Sequence, residues 1–386
     1  MKKILLIGLL LSTSILSYSE EGIGEALQTI EKNNLQLKAL REELVGQELE
    51  AEISSALGNP EIEAAYLWGS PSSIGSRKDL SLSQSLDFAS LNGTKKRLSD
   101  SMKELAGYDY ACQRMEILLD AQCVLLQLSY YNALLESYDK RIEDLSLVGK
   151  LLSLKYEAGA ANSLEYNNIL LKIAALKAER VKLDSSRKEL EGKLCGLNGG
   201  QPMEWKTKDF EPVLVEKPSE LLESPYLQLS RAGSAAKERE LALSKAENLP
   251  SLNLGYRGEF VAGENFQGIS LGLSIPLWTN SKRVQQAQAQ LQAARYREEE
   301  TLQTYASYIN ALYSRIETYA LLCQEYAQVL ESADNRAYLQ KALEQGAISV
   351  LDYLLEIELY YQALESCLDA ELNYHLLCAE YSAKDL

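Results

Sequence analysis

Side chains that commonly carry out catalysis or hold metal ions are sparse in this sequence. Its 386 residues include one histidine, His375, and six cysteines, and no two cysteines have Cys-x-x-Cys spacing. This composition argues against a zinc site. The sequence also contains no recognisable pairing of a nucleophile with a base, no glycine-rich phosphate loop and no carboxylate dyad. We therefore expect no enzyme activity, no bound cofactor and no resident metal ion.

The histidine and the cysteines fit structural roles. His375 lies seven residues after Leu368 and fourteen after Tyr361, which predicts a place in a packed helical seam. Four cysteines form two pairs with a separation of 11 residues, Cys112 with Cys123 and Cys367 with Cys378. Because that separation is about 16 Å along a helix, neither pair can form a disulfide within its helix. Buried thiols are the default expectation, and disulfides between helices stay an open alternative.

Acidic side chains are in excess. Asp plus Glu number 55 against 39 Lys plus Arg, a formal net charge of −16. We expect no nucleic-acid partner, since such proteins present a basic surface to phosphates. Two of the acids follow turn-like segments at N-cap spacing, Glu165 after Asn162 and Asp352 after Ser349. Helix capping is one interpretation of both pairs.

The N-terminus has the pattern of a secretory signal. Lys2 and Lys3 precede an apolar run at 4–16, and Ser17 and Ser19 offer small residues before Glu20. We predict a signal peptide over 1–19. A membrane anchor is the alternative, although the run is shorter than the 18 or more residues that a span needs. No cysteine follows, which argues against a lipid-modified start.

The rest of the chain consists of two similar halves. Three pairs of segments correspond in order, 59–63 with 249–253, 80–86 with 269–275, and 157–160 with 344–347, at offsets of 190, 189 and 187 residues. Three correspondences at nearly one offset indicate an internal duplication. We predict a first repeat over 20–200, a linker over 201–218 and a second repeat over 219–386, because Pro202, Pro212 and Pro218 follow Gly199 and Gly200 at this joint, a loop composition.

Each repeat is predicted to contain a helix, two strands, a long helix and a further helix. The predicted elements of the first repeat are helix 22–57, strands 61–69 and 79–88, and helices 94–156 and 163–197. Those of the second are helix 219–248, strands 251–262 and 268–278, and helices 281–343 and 350–382. Each long helix would be about 95 Å, which two short helices stacked end to end would match. Leu302, Ile309 and Ile316 recur every seven residues, as in a coiled coil.

The strands alternate between apolar and polar residues. The apolar positions include Leu80, Leu82, Leu254, Tyr256, Leu271 and Leu273. Serines 81, 83 and 270 and Asn253 fall on the other face. Strands of about ten residues with one apolar face are typical of outer-membrane barrels. In such a barrel the six apolar residues would contact lipid. A half-exposed sheet of a soluble protein would alternate in the same way. Four strands cannot close a barrel, so several chains would have to share one.

The ordered set of features resembles the TolC-like outer membrane factor family over essentially the whole mature chain. The resemblance rests on the duplication, on Asn59-Pro60 and Leu249-Pro250 before the hairpins, and on Ser274-Ile275-Pro276-Leu277-Trp278 after the last strand. It rests also on the paired turns at 156–160 and 343–347. It implies a mainly α fold with a small β part: long coiled-coil periplasmic helices forming an α-helical tunnel, and four transmembrane strands per chain in a twelve-stranded trimeric barrel.

The resemblance also implies a function and partners. The chain would be the outer-membrane exit duct of a tripartite efflux pump or a type I secretion system. It would be a homotrimer that contacts outer-membrane lipid, a periplasmic adaptor (membrane fusion) protein and an inner-membrane transporter of the RND, ABC or MFS type. A coiled-coil envelope scaffold or adhesin without a pore is the alternative, and the alternating strands argue against it.

By the same resemblance, the two turns would lie at the periplasmic end and meet the adaptor. Their residues are Gly159, Ala160, Gly346 and Ala347. Glu165 and Asp352 would then be placed where three copies could form an acidic ring at the tunnel entrance, which would favour cations. Helix capping remains the alternative role for both acids.

Overall fold

The computed structural model describes residues 22–158, 162–210, 213, 215, 217, 224–261, 263–276 and 280–386. The predicted signal peptide lies outside the described residues, as do Gly159 and Ala160 and part of the predicted linker.

Helices account for most of the described chain, and this confirms the mainly α fold class. The helices are α1 (Ile23–Asn33), α2 (Leu35–Ser55), α3 (Phe88–Leu91), α4 (Thr94–Glu157), α5 (Ser163–Leu197), α6 (Pro225–Ala246), α7 (Asn280–Ser332), α8 (Arg336–Glu344) and α9 (Val350–Ser382). Among the described residues, no helix combines the length and the apolarity required to cross a membrane.

Two helices predicted to be continuous are interrupted. The predicted helix 22–57 breaks at Asn34, whose side-chain amide donates to the Leu197 carbonyl at 2.8 Å. The predicted helix 281–343 breaks between α7 and α8, where the Asp334 carboxylate accepts from the backbone and the guanidinium of Arg336. In both places a short polar side chain makes a hydrogen bond that a continuous helix does not contain. Asp334 makes it locally, as Asp and Asn commonly do at helix ends, whereas Asn34 makes it to a residue that is distant in sequence.

The strands form one antiparallel sheet in the order β1 (Glu61–Trp68), β2 (Ser76–Leu86), β3 (Ser251–Val261) and β4 (Glu264–Ser274). Within the described residues β1 and β4 are the edge strands. The central β2–β3 pair joins one strand from each predicted repeat, with Leu82 opposite Tyr256. This sheet confirms the predicted small β part.

Four predicted strand boundaries, both ends of β2 and both ends of β4, are wrong by two residues or more. Strand β2 begins at Ser76 instead of Asp79, and β4 covers Glu264–Ser274 instead of 268–278. The β3–β4 connection is only two residues long because Gly263 adopts a φ of 95°, a conformation that suits glycine in tight hairpins. Phe88, predicted at the end of a strand, begins α3 because the Asp87 carboxylate caps this turn at the Ser90 amide.

The chain divides into two compact units, and each takes segments from both predicted repeats. The first unit contains the described residues of 1–34, 121–211 and 332–372, and the second those of 35–120, 212–331 and 373–386. In the first, Leu145, Ile169, Val350 and other side chains of α4, α5, α8 and α9 form one apolar core. In the second, the sheet is accompanied by helical cores that include Leu312 of α7 and Leu377 of α9. The boundaries of the two sequence repeats stay a prediction.

Candidate channel surfaces

One face of the sheet carries large apolar side chains that are exposed in the single chain. We call it the apolar sheet face. It includes all six residues predicted to contact lipid, Leu80, Leu82, Leu254, Tyr256, Leu271 and Leu273, together with Ile62, Trp68 and Ile269. The register aligns them across strands: Leu82 pairs with Tyr256, and Tyr256 with Ile269. An exposed apolar patch that extends over four strands indicates an apolar environment or partner.

The opposite face carries serines, small residues and charges. Four of the charged residues form a strand charge square, Arg77, Asp79, Arg257 and Glu259. Asp79 and Glu259 stand directly opposite each other on β2 and β3, a placement of like charges that is unfavourable by itself. Each arginine contacts both carboxylates, with nitrogen to oxygen distances of 2.7 to 3.3 Å. The square is therefore electrically balanced although its acids are adjacent.

The turn after α8 is a glycine C-cap. Gly346 has a φ of 70°, the Ala347 amide donates to the Ala342 carbonyl at 2.9 Å, and the Gly346 amide donates to the Leu343 carbonyl at 3.1 Å. These are the two hydrogen bonds of a Schellman motif. A Cβ atom at Gly346 would meet no atom within 4 Å. A side chain there would therefore be disfavoured by the left-handed backbone and not by a clash.

Asp352 and Ser349 form a reciprocal cap at the start of α9. The Ser349 amide and hydroxyl both donate to the Asp352 carboxylate, at 3.2 and 2.7 Å, and the Asp352 amide donates to the Ser349 hydroxyl at 3.1 Å. These hydrogen bonds from Ser349 hold the pKa of Asp352 below its usual range. The side chain is exposed, so it is a capping group and a surface charge at the same time.

Glu165 is arranged differently. The Asn162 carboxamide oxygen caps α5 by accepting from the Leu164 amide at 3.1 Å. Glu165 is half-buried and lines a cavity of about 140 Å³ together with Lys155 and Gly346. Glu165 and the Gly346 turn therefore line the same cavity in the first unit.

A charge cluster around a buried arginine lies in the first unit, and we call it the buried charge cluster. It consists of Arg141 of α4, Lys172 of α5, and Glu358 and Glu365 of α9. Arg141 is 3% exposed and pairs with Glu358, and its other terminal nitrogen lies 3.5 Å from Glu365. Lys172 also reaches Glu358, at 2.5 Å. Glu358 is therefore engaged in ion pairs within its own chain.

Hydrogen bonds decide the ionisation of Glu358. Burial by itself would raise the pKa of Glu358, but the hydrogen bonds from Lys172 and Arg141 outweigh it, and the pKa lies below its usual range. The Arg141 guanidinium also lies over the ring of Tyr361, 4.9 Å from the ring centre, and the Tyr361 hydroxyl donates to Asp144 at 3.3 Å. Within the described residues, Nε of Arg141 has no hydrogen-bond partner.

The histidine and the cysteines are packed in helices. His375 lies edge-to-face against Tyr374, with ring centres 5.2 Å apart, and burial lowers the pKa of His375 to about 4. The imidazole is therefore neutral at pH 7. All six cysteines are described and each is a thiol, Cys112, Cys367 and Cys378 being buried. The described residues contain no group of three or more potential metal ligands.

The sequence matches no known family model and no curated protein. The structure, in contrast, is similar to solved outer-membrane channels. The Campylobacter jejuni CmeC outer membrane channel aligns at 16% identity with a TM-score of 0.78, covering 94% of this chain and 85% of that one. The Neisseria gonorrhoeae MtrE outer membrane channel aligns at 16% identity and 0.71, covering 94% and 88%.

The Vibrio cholerae outer membrane protein VceC is a further match, at 17% identity and a TM-score of 0.70, covering 93% of this chain and 95% of that one. At identities this low, the structural matches show a shared fold alone. The chain has the fold of the TolC-like outer membrane factors, and the fold predicted from the sequence is confirmed.

Sequence reasoning did not identify the two charge clusters as units. Arg141 and Glu358 are 217 residues apart, and no local pattern marks them as partners. The strand charge square had a partial signal, because Asp79, Arg257 and Glu259 fall on the polar face of alternating strands.

Proposed function

We propose that this protein is an outer-membrane exit duct that works with a periplasmic adaptor and an inner-membrane transporter in efflux or type I secretion. The observation that carries the proposal is the sheet, which has an apolar face exposed over all four strands and a polar face opposite. A membrane-embedded sheet with this pattern would turn its apolar face to lipid and its polar face to a water-filled lumen.

The edges of the sheet support assembly from several copies. Strands β1 and β4 each present one unpaired edge within the described chain. In a bilayer, exposed backbone groups must be paired, so open edges are not tolerated. Pairing β4 of one copy with β1 of the next closes the sheet without a new element, and three copies give the twelve strands of a homotrimer.

Conductance is the direct test. The mature full-length protein, purified in detergent and inserted into a planar lipid bilayer, should give discrete conductance steps. Its mass by light scattering, corrected for detergent, should correspond to three chains. A protein that binds membranes without conducting would favour the envelope scaffold and contradict the duct.

We further propose that the adaptor contacts the turn at Gly346–Ala347 and the segment Gly159–Ala160, for which the sequence predicts a turn. Gly346 supports this because its turn is exposed and its backbone amide and that of Ala347 close the end of α8. Gly346→Val should disfavour the left-handed backbone locally and reduce adaptor crosslinking and transport while the trimer still assembles. Gly346→Asn is the matched control, since asparagine tolerates this conformation. Normal crosslinking of the valine variant would remove this turn from the docking surface.

Glu165 and Asp352 are proposed to act as an acidic entrance ring in addition to any capping role. The double variant Glu165→Gln with Asp352→Asn removes both charges, and Asn at 352 leaves a polar side chain beside Ser349. Cation selectivity should fall, more at low than at high salt, because exposed charges are screened over about 10 Å at 0.1 M. Replacing the exposed acids Glu42 and Glu43 by Gln and Asn controls for net charge. Unchanged selectivity in the first variant would leave Asp352 as a helix-capping group only and would remove Glu165 from the proposed ring.

A further inference from the structure

A groove lined by tyrosines lies in the second compact unit and shares no lining residue with the surfaces described above. We call it the tyrosine groove. Its lining residues are Tyr226 of α6 and Glu300, Thr301, Thr304, Tyr305 and Tyr308 of α7, and its volume is about 560 Å³. The α7 residues recur at spacings of one, three, one and three, which places them on one face of the helix. The volume is in the range of small-molecule sites.

Two of the three phenols donate to carboxylates outside the lining. The Tyr226 hydroxyl donates to Glu116 at 2.7 Å, and the Tyr308 hydroxyl donates to Glu380. The pKa of both tyrosines lies above the usual value, mainly because of burial and secondly because of these hydrogen bonds. The phenols are therefore neutral donors at any physiological pH. Donation to an anion polarises the phenol and makes the face of its ring more negative.

The third ring is fixed by packing. Tyr305 is half-buried against the apolar cluster of Ile309, Leu312 and Ile316. Its ring centre is 6.4 Å from that of Tyr308, with a tilt of 37° between the two planes. Two adjacent rings are thus held in place before any ligand arrives, which reduces the ordering cost of binding.

We propose that the tyrosine groove binds an organic cation, such as a quaternary ammonium or a protonated amine. Aromatic faces attract cations through the ring quadrupole, and rings of tyrosine are recurrent walls of ammonium sites. Glu300 adds a carboxylate to the lining, and Glu116 and Glu380 add two more behind the phenols. An anion would meet the Glu300 carboxylate in the lining and be repelled by the two behind the phenols, whereas a neutral apolar ligand would gain nothing from these charges. The inference goes beyond the proposed duct, which does not need to bind what it passes.

Choline and its uncharged isostere 3,3-dimethylbutan-1-ol separate charge recognition from shape. Both would be titrated into the assembled full-length protein in detergent and followed by saturation-transfer NMR. Choline should bind at least about five times more tightly than the alcohol, as expected for a cation over aromatic rings. Equal affinities, or no saturable choline binding, would overturn the proposal. The latter result is expected if a second copy covers the groove.

Variants on one helix give matched controls. Tyr305→Leu with Tyr308→Leu should weaken choline binding more than about tenfold. Tyr296→Leu, which changes an exposed tyrosine of the same helix outside the groove, should leave binding unchanged. If the double variant does not assemble, Glu300→Gln tests the proposal instead. Loss of this lining charge should weaken the binding of choline but not the binding of the alcohol. Unchanged choline affinity in an assembled groove variant contradicts the proposal. Bilayer conductance should be unaffected by these substitutions, and it tests the proposed duct separately.

Discussion

Two clusters of the molecule contain the same charges in different surroundings. The buried charge cluster of the first unit and the strand charge square of the second each combine two basic and two acidic side chains. Arg141 in the first is 3% exposed, whereas Arg257 in the second is 53% exposed. Water can replace a lost partner in the square but has little access to Arg141. Burial, and not the number of ion pairs, should therefore set what each cluster contributes to stability.

The largest effect is expected from breaking the buried cluster. Arg141→Met removes a partner of Glu358 and the cation over the Tyr361 ring, and should lower the free energy of unfolding by about 3 kcal/mol. Urea unfolding of the detergent-solubilised protein, followed by circular dichroism, measures this change. Arg180→Met is the control, because Arg180 pairs with Asp139 at an exposed position and its loss should cost less than about 1 kcal/mol. Similar losses in both variants would contradict the assigned role of burial.

A charge placed on the apolar sheet face extends the comparison to a third environment. Leu271→Arg should destabilise the inserted protein by about 2–4 kcal/mol if Leu271 faces the bilayer midplane. Ser270→Arg, one residue away on the opposite face, should be tolerated and change conductance instead. Refolding into lipid vesicles at graded urea concentrations measures both. Equal tolerance of the two substitutions would rule out the membrane orientation of the sheet.

The pH dependence of stability tests the ionisation of Glu358. Its folded-state pKa is lower than the reference value of 4.5, so the carboxylate stabilises the fold above that pH. This stabilisation is lost as the pH falls through the folded-state pKa. Glu358→Gln should lower stability at pH 7 by about 1–2 kcal/mol and flatten the part of the acid dependence that the wild type shows below about pH 4.5. Parallel curves for the two proteins between pH 3 and 7 would show that Glu358 is not the responsible group.

The smallest stability effect is expected in the strand charge square. Arg257→Gln should cost less than about 1 kcal/mol, as for other exposed ion pairs. It leaves Asp79 and Glu259 with Arg77 alone, and so adds net negative charge to the polar sheet face. Reversal potentials in asymmetric salt should shift toward greater cation selectivity at low ionic strength. An unchanged reversal potential would place this face away from the conduction path.

Much of the fold follows from local patterns in the sequence. Alternation with a period of two predicted the strands and both faces of the sheet, since neighbouring side chains of a strand must point to opposite sides. Helix signals were equally local: the predicted bounds of α5 and α9 agree with the structure because a cap or a turn precedes each helix at Asn162 and Ser349. The ends of β2 and β4 were misplaced because hairpin pairing, and not the strand pattern alone, sets where strands stop.

Other features depend on partners that are distant in the chain. Asn34 interrupts a helix because its amide reaches Leu197, and Arg141 is neutralised by Glu358, 217 residues away. The sequence by itself determined most of the elements, the faces of the sheet and the turn at Gly346, since each depends on backbone geometry within a few residues. Only the tertiary structure decided which charges are buried and which carboxylate each cation meets, because desolvation and pairing depend on what packs around a side chain and not on its neighbours in sequence.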